Sequence, residues 1–153
     1  MFLTMWEYIR EVEEDYDRFR APAPPAGAEP GGNHFVQPYT DNPLDNEAVG
    51  ETVYLNLINK AQNYVYIMTP YLIVSDSVNT ALCNAAKAGV DVRIITPHVP
   101  DKRLVFELTR AHYQPLLEAG VQIFEYTPGF VHAKNFAVDD RYGTVGSINL
   151  DYR

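Results

Sequence analysis

The sequence predicts an α/β fold: a mixed, partly parallel sheet flanked by helices on both faces, preceded by a separate amphipathic helix. Three observations predict it. From residue 35 onward, short β-branched and aromatic runs alternate with helical runs, the pattern of a sheet whose strands are joined through helices. Three of the strand-like runs, "YIMTPY", "RIITPH" and "FEYTPG", stop at the same Thr-Pro dipeptide, and proline ends a strand by removing a ladder donor. Residues 21–34 are rich in proline, glycine and alanine, a composition that makes a linker rather than an element.

Residues 1–20 are the N-terminal helix of this scheme. Phe2, Met5, Trp6, Ile9, Val12, Tyr16 and Phe19 recur at three- and four-residue spacing, an apolar stripe that calls for a protein partner. Its polar face is acidic, which disfavours a membrane surface. After the linker, residues 35–153 form the second domain. "HFVQPY" predicts a short strand. "NEAVGETVYLNLINKAQ" predicts a helix with Asp45 or Asn46 as N-cap. "YVYIM" reads as a buried strand, and "SDSVNTALCNAAKAG" as a helix capped near Ser75 and stopped by Gly89. "VDVRII" is a strand, "DKRLVFELTRAHYQPLLEAG" a helix ending at Gly120, and "VQIFEY" a strand. "HAKNFAVD" and "YGTVGS" are two more strands around an acidic turn at Asp139 and Asp140. Thr69-Pro70, Thr96-Pro97 and Thr127-Pro128 then lie at carboxyl ends of strands, the edge where open α/β sheets bind ligands.

Charge restricts the function classes. The 153-residue chain carries a formal charge of −8. Residues 1–50 hold ten acids against three bases, and residues 51–153 hold ten against nine. A protein that grips nucleic acid through the backbone needs a basic face, so nucleic acid is disfavoured as partner. No apolar run approaches the ~18 residues of a membrane span. "MFLTMW" lacks the basic region that opens a signal peptide. The one cysteine, Cys83, excludes an intrachain disulfide and reads as a small core residue.

The closing stretch carries the chemistry. In "HAKNFAVDD", a strand puts His132 and Lys134 on the same face, roughly 7 Å apart along it. Asp139 follows at an odd spacing, so a turn must decide its direction. A carboxylate there suits holding a histidine by its second nitrogen, in this chain or in a facing copy. Gly146, Ser147 and Asn149 form a small polar turn, with glycine allowing close backbone approach and two side chains able to donate to an anionic oxygen. A histidine attacks phosphorus, a lysine carries phosphate charge, and neutral donors hold the remaining oxygens. With no metal-ligand spacing in the chain, the reading is phosphoryl chemistry through a phosphohistidine, with no cofactor.

The pattern H-x-K-x(4)-D followed by G-S-x-N resembles the HKD motif of the phospholipase D superfamily. "QPYTDNPLDNEAVGE", "YVYIMTPYLI", "VDVRIITPHVPDK", "YTPGFVHAK" and "GSINLDYR" are similar to the second half of bacterial cardiolipin synthases. The resemblance covers residues 33–153 well and residues 1–20 loosely. It implies two half-domains face to face, each giving one HKD motif: one histidine attacks phosphorus and the other protonates the leaving alcohol. It implies phosphatidyl transfer between two phosphatidylglycerols, with glycerol leaving. His132 is then one histidine of the pair, as nucleophile or acid/base, Lys134 binds phosphate and Asp139 orients a histidine. Gly146, Ser147 and Asn149 support the phosphate. The chain holds a single His-x-Lys and ends at Arg153, where family members usually continue. It therefore resembles a half-domain truncated at its C-terminus, completed by a second half-domain or by a homodimer.

Several secondary readings follow. His98, in "TPHVPDK", is a substrate-lining candidate, with a solvated loop as the alternative. Tyr71, Tyr126 and Phe130 either line an acyl or glycerol path or pack the rim. Lys102 and Arg103 either meet lipid phosphate or begin a solvated helix, and surface places suit His34 and His112. The implied partner is an anionic phospholipid at a bacterial inner membrane, met peripherally or within a longer membrane enzyme, the chain itself being soluble or cytoplasmic. The competing readings are a homodimeric phosphodiesterase or nuclease, and a fragment that binds a partner or anionic head groups without turnover.

Overall fold

In a computed structural model, which describes residues 2–23, 25, 27, 32, 34–41 and 46–151, the chain divides into two units, one up to Thr40 and one from Asp41 onward. In the first unit, helix α1 spans Phe2–Arg10 and a single 3₁₀ turn spans Tyr16–Phe19. The apolar spacing predicts one helix to residue 20. The chain instead leaves the helix at Glu11, whose φ is 52°. The acidic run Glu11–Asp17 repels itself along a helix, and its side chains find better partners by folding back. Glu7 accepts from the Glu14 N–H at 2.8 Å and from the Tyr16 hydroxyl, and Trp6 Nε1 donates to Glu14 at 3.2 Å. These hydrogen bonds, that from Tyr16 foremost, hold the Glu7 carboxyl below its usual range. The expected strand at residues 34–39 is not paired: Phe35 and Val36 are 98% and 94% exposed.

The second unit opens with α2 (Val49–Lys60). Asn46 is not its N-cap, and Asp45 lies outside the described residues. Ala48 occupies the cap without a side-chain bond, and Asp41 supplies the missing acceptor, taking the Gly50 N–H at 2.8 Å. Gly50 lets the two segments approach closely: a Cβ there falls 2.7 Å from Asp41 Oδ2 and 2.8 Å from Ile148 Cγ2, so those side chains would have to shift. β1 (Tyr64–Met68), β2 (Leu72–Ile73), α3 (Asp76–Lys87) and β3 (Asp91–Pro97) follow. Ser75 caps α3 by accepting from the Val78 N–H, as its sequence predicts. The expected helix over residues 101–120 is two, α4 (Arg103–Ala111) and α5 (Tyr113–Glu118). Pro115 in the first turn of α5 lacks the N–H that would continue the α4 ladder, so the break falls at His112. β4 (Gln122–Tyr126), β5 (Asn135–Val138), β6 (Tyr142–Val145) and β7 (Leu150–Asp151) complete the unit.

The main sheet has the order β4-β3-β1-β5-β6. β4, β3 and β1 run parallel, β5 runs antiparallel to β1, and β6, antiparallel to β5, returns in the direction of the other three. β2 and β7 form a separate parallel pair with Leu72 opposite Leu150. The mixed, partly parallel sheet of the sequence reading is present, and alternation fixes its faces. Val65, Ile67, Val92, Ile94, Phe136 and Val138 point inward and join Tyr54, Ile58, Val78, Leu82 and Leu116 in one core. Helices flank the sheet as expected, and the buried apolar residues of α2, α3 and α5 join this core. The opposite face shows Tyr66, Phe124, Tyr126 and Val145, each more than a third exposed.

Candidate functional site

The sequence-predicted residues other than Asp139 gather on one rim of the sheet, and strand direction explains how. β1 and β3 end there at Met68 and Pro97, and β4 at Tyr126. β5 runs the opposite way, so it begins there, and β6 ends there with Val145 opposite Asn135. The three Thr-Pro dipeptides lie on this rim. Two of the threonines serve packing: Thr69 and Thr96 are buried, Thr69 donating to the Tyr71 carbonyl at 2.8 Å and Thr96 sharing a hydrogen bond with the Tyr113 hydroxyl at 2.7 Å.

His132 and Lys134 stand just before β5 rather than on it, since the strand starts at Asn135. They are nearer than strand alternation predicts. The Lys134 side chain folds back, its Nζ lying 3.0 Å from His132 Nδ1 and 2.7 Å from the His132 carbonyl. An ammonium has only N–H to offer, so Nδ1 is the acceptor and the neutral His132 ring carries its proton on Nε2. His132 is exposed, and its ring lies 5.7 Å from that of Phe130. Lys134 is 7% exposed. Burial lowers its pKa below that of an ordinary lysine, and the Asp151 carboxylate partly opposes that shift. The pair thus presents an N–H and a poorly solvated cation at an open rim, a combination that attracts a tetrahedral anion.

Gly146, Ser147 and Asn149 follow β6 and so emerge at the same rim. Gly146 and Ser147 are exposed. Asn149 Oδ1 is buried without a hydrogen-bond partner among the described residues, which leaves that amide with spare capacity. Tyr54 fixes the loop by donating to the Ile148 carbonyl at 2.7 Å, and Gly50 leaves room for Ile148 beneath it.

Asp139 is placed elsewhere. It sits at the far end of β5, in a hairpin turn where Asp139 and Asp140 both have φ of 53°. Its carboxylate accepts the backbone N–H groups of Gln62, Asn63 and Tyr64 at 2.7, 2.8 and 2.8 Å, which pull its pKa down. Three N–H groups of the α2–β1 connection thus hold this carboxylate, with the length of a strand between it and His132, so the proposed role of orienting a histidine falls to the facing-copy alternative.

His98 follows β3 on the functional rim. Its Nδ1 lies 2.8 Å from Glu125 Oε2, and its N–H donates to the Tyr126 carbonyl at 3.1 Å. Glu125 is a residue that sequence reasoning missed. Register places it opposite Thr96 on the inward side of β4, and an acid at an inward position on a strand end was the available signal. Tyr71 and Asp101 are also joined, the hydroxyl donating at 2.6 Å. That bond, with burial behind it, pushes the Tyr71 pKa up to about 12. His112 turns back on its own helix, to the Leu108 carbonyl, and His34 is exposed. Among the described residues no group of three or more His, Cys, Asp or Glu side chains is placed to hold a metal, and no helix is long and apolar enough to cross a membrane.

Comparison with known proteins joins this geometry to a family. Residues 54–153 match the family described as "Cardiolipin synthase, PLD-like domain". The chain is 50% identical over 153 residues to an uncharacterized protein of Streptococcus mutans, covering 100% of this chain and 32% of the other. It is 38% identical over 122 residues to a cardiolipin synthase of Alkalihalophilus pseudofirmus, covering 80% and 24%. With a cardiolipin synthase of Geobacillus kaustophilus the identity is 35% over 156 residues, covering 100% and 30%. The chain thus spans about a third or less of these relatives. In fold it is similar to the crystal structure of a phospholipase D family member, Nuc from Salmonella typhimurium, with a TM-score of 0.56, 23% identity, and 65% of this chain and 64% of that chain covered. By the family match over most of its second unit, the chain belongs to the phospholipase D-like domain family of the cardiolipin synthases.

Proposed function

We propose that this chain supplies one half of a phosphatidyl-transfer site. His132 is one of two histidines that act on a phosphodiester of an anionic phospholipid, with phosphatidylglycerol as substrate and cardiolipin as product. The contact that carries the reading is the 3.0 Å approach of the Lys134 ammonium to His132 at an open rim. A phosphate oxygen entering there takes the N–H bonds that Lys134 now gives to His132. Lys134 then opposes the charge that grows on the phosphoryl oxygens, and Gly146, Ser147 and Asn149 hold the others. Attack by one imidazole breaks the P–O bond to the leaving alcohol, which takes a proton from the other imidazole, and leaves a phosphohistidine; the acceptor alcohol then gives its proton to that other imidazole as it displaces the first from phosphorus. The chain has a single His-x-Lys, so the second histidine comes from a second half-domain or a second copy. The net charge of −8 favours a lipid reaction over a nuclease that must grip a polyanionic backbone.

The test is to trap the intermediate. Incubation with phosphatidylglycerol labelled in its phosphate is expected to give an acid-labile label that maps to the peptide containing His132, and His132→Ala is expected to remove it. Label that persists in the variant rejects the assignment, and nicking of single-stranded DNA in chelator would favour the phosphodiesterase reading.

A further inference from the structure

A second imidazole shares this rim under opposite electrostatic instruction. His132 meets an ammonium through Nδ1, whereas His98 meets a carboxylate through the same atom, at 2.8 Å. A carboxylate only accepts, so His98 Nδ1 carries the hydrogen and the neutral ring turns an unprotonated Nε2 outward. Glu125 is held in turn by Arg110 at 3.5 Å and the Tyr113 hydroxyl at 3.5 Å. The segment bearing His98 is fixed at two further points, by its own N–H on the Tyr126 carbonyl and by the Tyr71–Asp101 bond. The His98 side chain is nevertheless 55% exposed. An exposed imidazole with its backbone and one ring nitrogen held is a pre-set hydrogen-bond acceptor.

Resting on the phosphatidyl-transfer reading above, we infer that His98 and Glu125 form an alcohol subsite, where His98 Nε2 accepts a hydrogen bond from the hydroxyl of a head-group alcohol or a free polyol. The topology gives it a matching place. β1 alone separates β3, which leads into His98, from β5, which follows His132. Two strand spacings, roughly 10 Å between backbones, leave room between the two imidazoles for a phosphate and a short alcohol. This places His98, a substrate-lining candidate by its sequence, on the hydroxyl side of the substrate. A head group without a hydroxyl leaves Nε2 unpaired, and a polar partner lost in this way lowers affinity several-fold.

The experiment reads both histidines in the full chain by ¹⁵N NMR. Soluble short-chain phosphatidylglycerol is compared with short-chain phosphatidylethanol, which has the same phosphate and no head-group hydroxyl, and with glycerol alone. In the free protein Nε2 of His98 is expected to be unprotonated. Phosphatidylglycerol is expected to shift it and to bind about five- to tenfold more tightly than phosphatidylethanol, while both lipids shift His132. A shift with glycerol alone assigns the subsite to free polyols as well. His98→Ala, at an exposed position, is expected to erase the preference, and Glu125→Leu, which removes the acceptor of Nδ1–H, to weaken it, while both lipids still move His132. A protonated Nε2 in the free protein, a preference that survives His98→Ala, or a His98 unmoved by phosphatidylglycerol overturns the subsite. If neither lipid moves His132, the phosphatidyl-transfer reading is what fails.

Discussion

At Lys134, burial and charge oppose one another. An ammonium with 7% exposure has lost most of its hydration, and among the described residues the His132 carbonyl, His132 Nδ1 and the nearby Asp151 charge offset that loss. Burying a charge costs stability unless its partners compensate fully. Lys134→Met keeps the stem and removes the charge, so its unfolding midpoint is expected to stay level or rise in thermal denaturation. The same variant is expected to slow phosphatidyl transfer by about 10²-fold or more, the scale of one lost charge-stabilising donor. A variant that lost both stability and rate would make Lys134 a structural residue. The sign with pH follows from the lowered pKa. Lys134 loses its proton earlier than an ordinary lysine, so anion binding should fade on the alkaline limb before pH reaches 10.5, the ordinary lysine value. His132 and Lys134 were legible in the sequence because a two-residue spacing survives small changes of backbone state. Glu125 was not, because its meeting with His98 depends on a neighbouring strand and its register.

The hairpin of β5 and β6 shows what a motif read as one unit conceals. "HAKNFAVDD" reads as a single catalytic string, yet β5 divides it, with His132 and Lys134 at one rim and Asp139 at the other. Asp139 closes the α2–β1 connection by accepting three successive backbone N–H groups, the arrangement that stabilises a helix cap. Its folded pKa is lowered, so its contribution is present above the unfolded value near 3.8 and is lost as pH falls through the lower folded value. Asp139→Ala is expected to reduce the Tm by about 5 °C, and the well-folded fraction is expected to keep its response at His132. A Tm equal to that of the parent, with activity lost, would return Asp139 to a role at the imidazole. The other elements divide along the same line. β1, β3, β4 and α3 were legible because hydrophobic period and caps act locally. The lengths of α1 and α4 were not, since acidic side chains folding back and Pro115 decided them, and β2 and β7 were invisible because a two-residue strand exists only through its partner.

Charge at the scale of the whole chain bears on how it would meet the proposed phospholipid. The formal charge is −8, and the imbalance belongs almost entirely to residues 1–50, with ten acids against three bases, while residues 51–153 hold ten against nine. A bilayer rich in phosphatidylglycerol is itself negative, so the N-terminal third is repelled by the surface that the proposed reaction requires. Screening decides how strongly. The Debye length is ≈ 30 Å at 0.01 M salt, comparable with a small domain, and ≈ 8 Å at 0.15 M. Binding to phosphatidylglycerol vesicles is therefore expected to strengthen several-fold as salt rises from 10 to 150 mM, the reverse of a polybasic membrane protein. Sedimentation with vesicles checks it, with phosphatidylcholine vesicles as the uncharged control that should show no such trend. Binding that weakens with salt would mean that Lys102 and Arg103 act as a local basic surface despite the net charge. Affinity would then come from general attraction, leaving Lys134 only the recognition of a single phosphate at the rim.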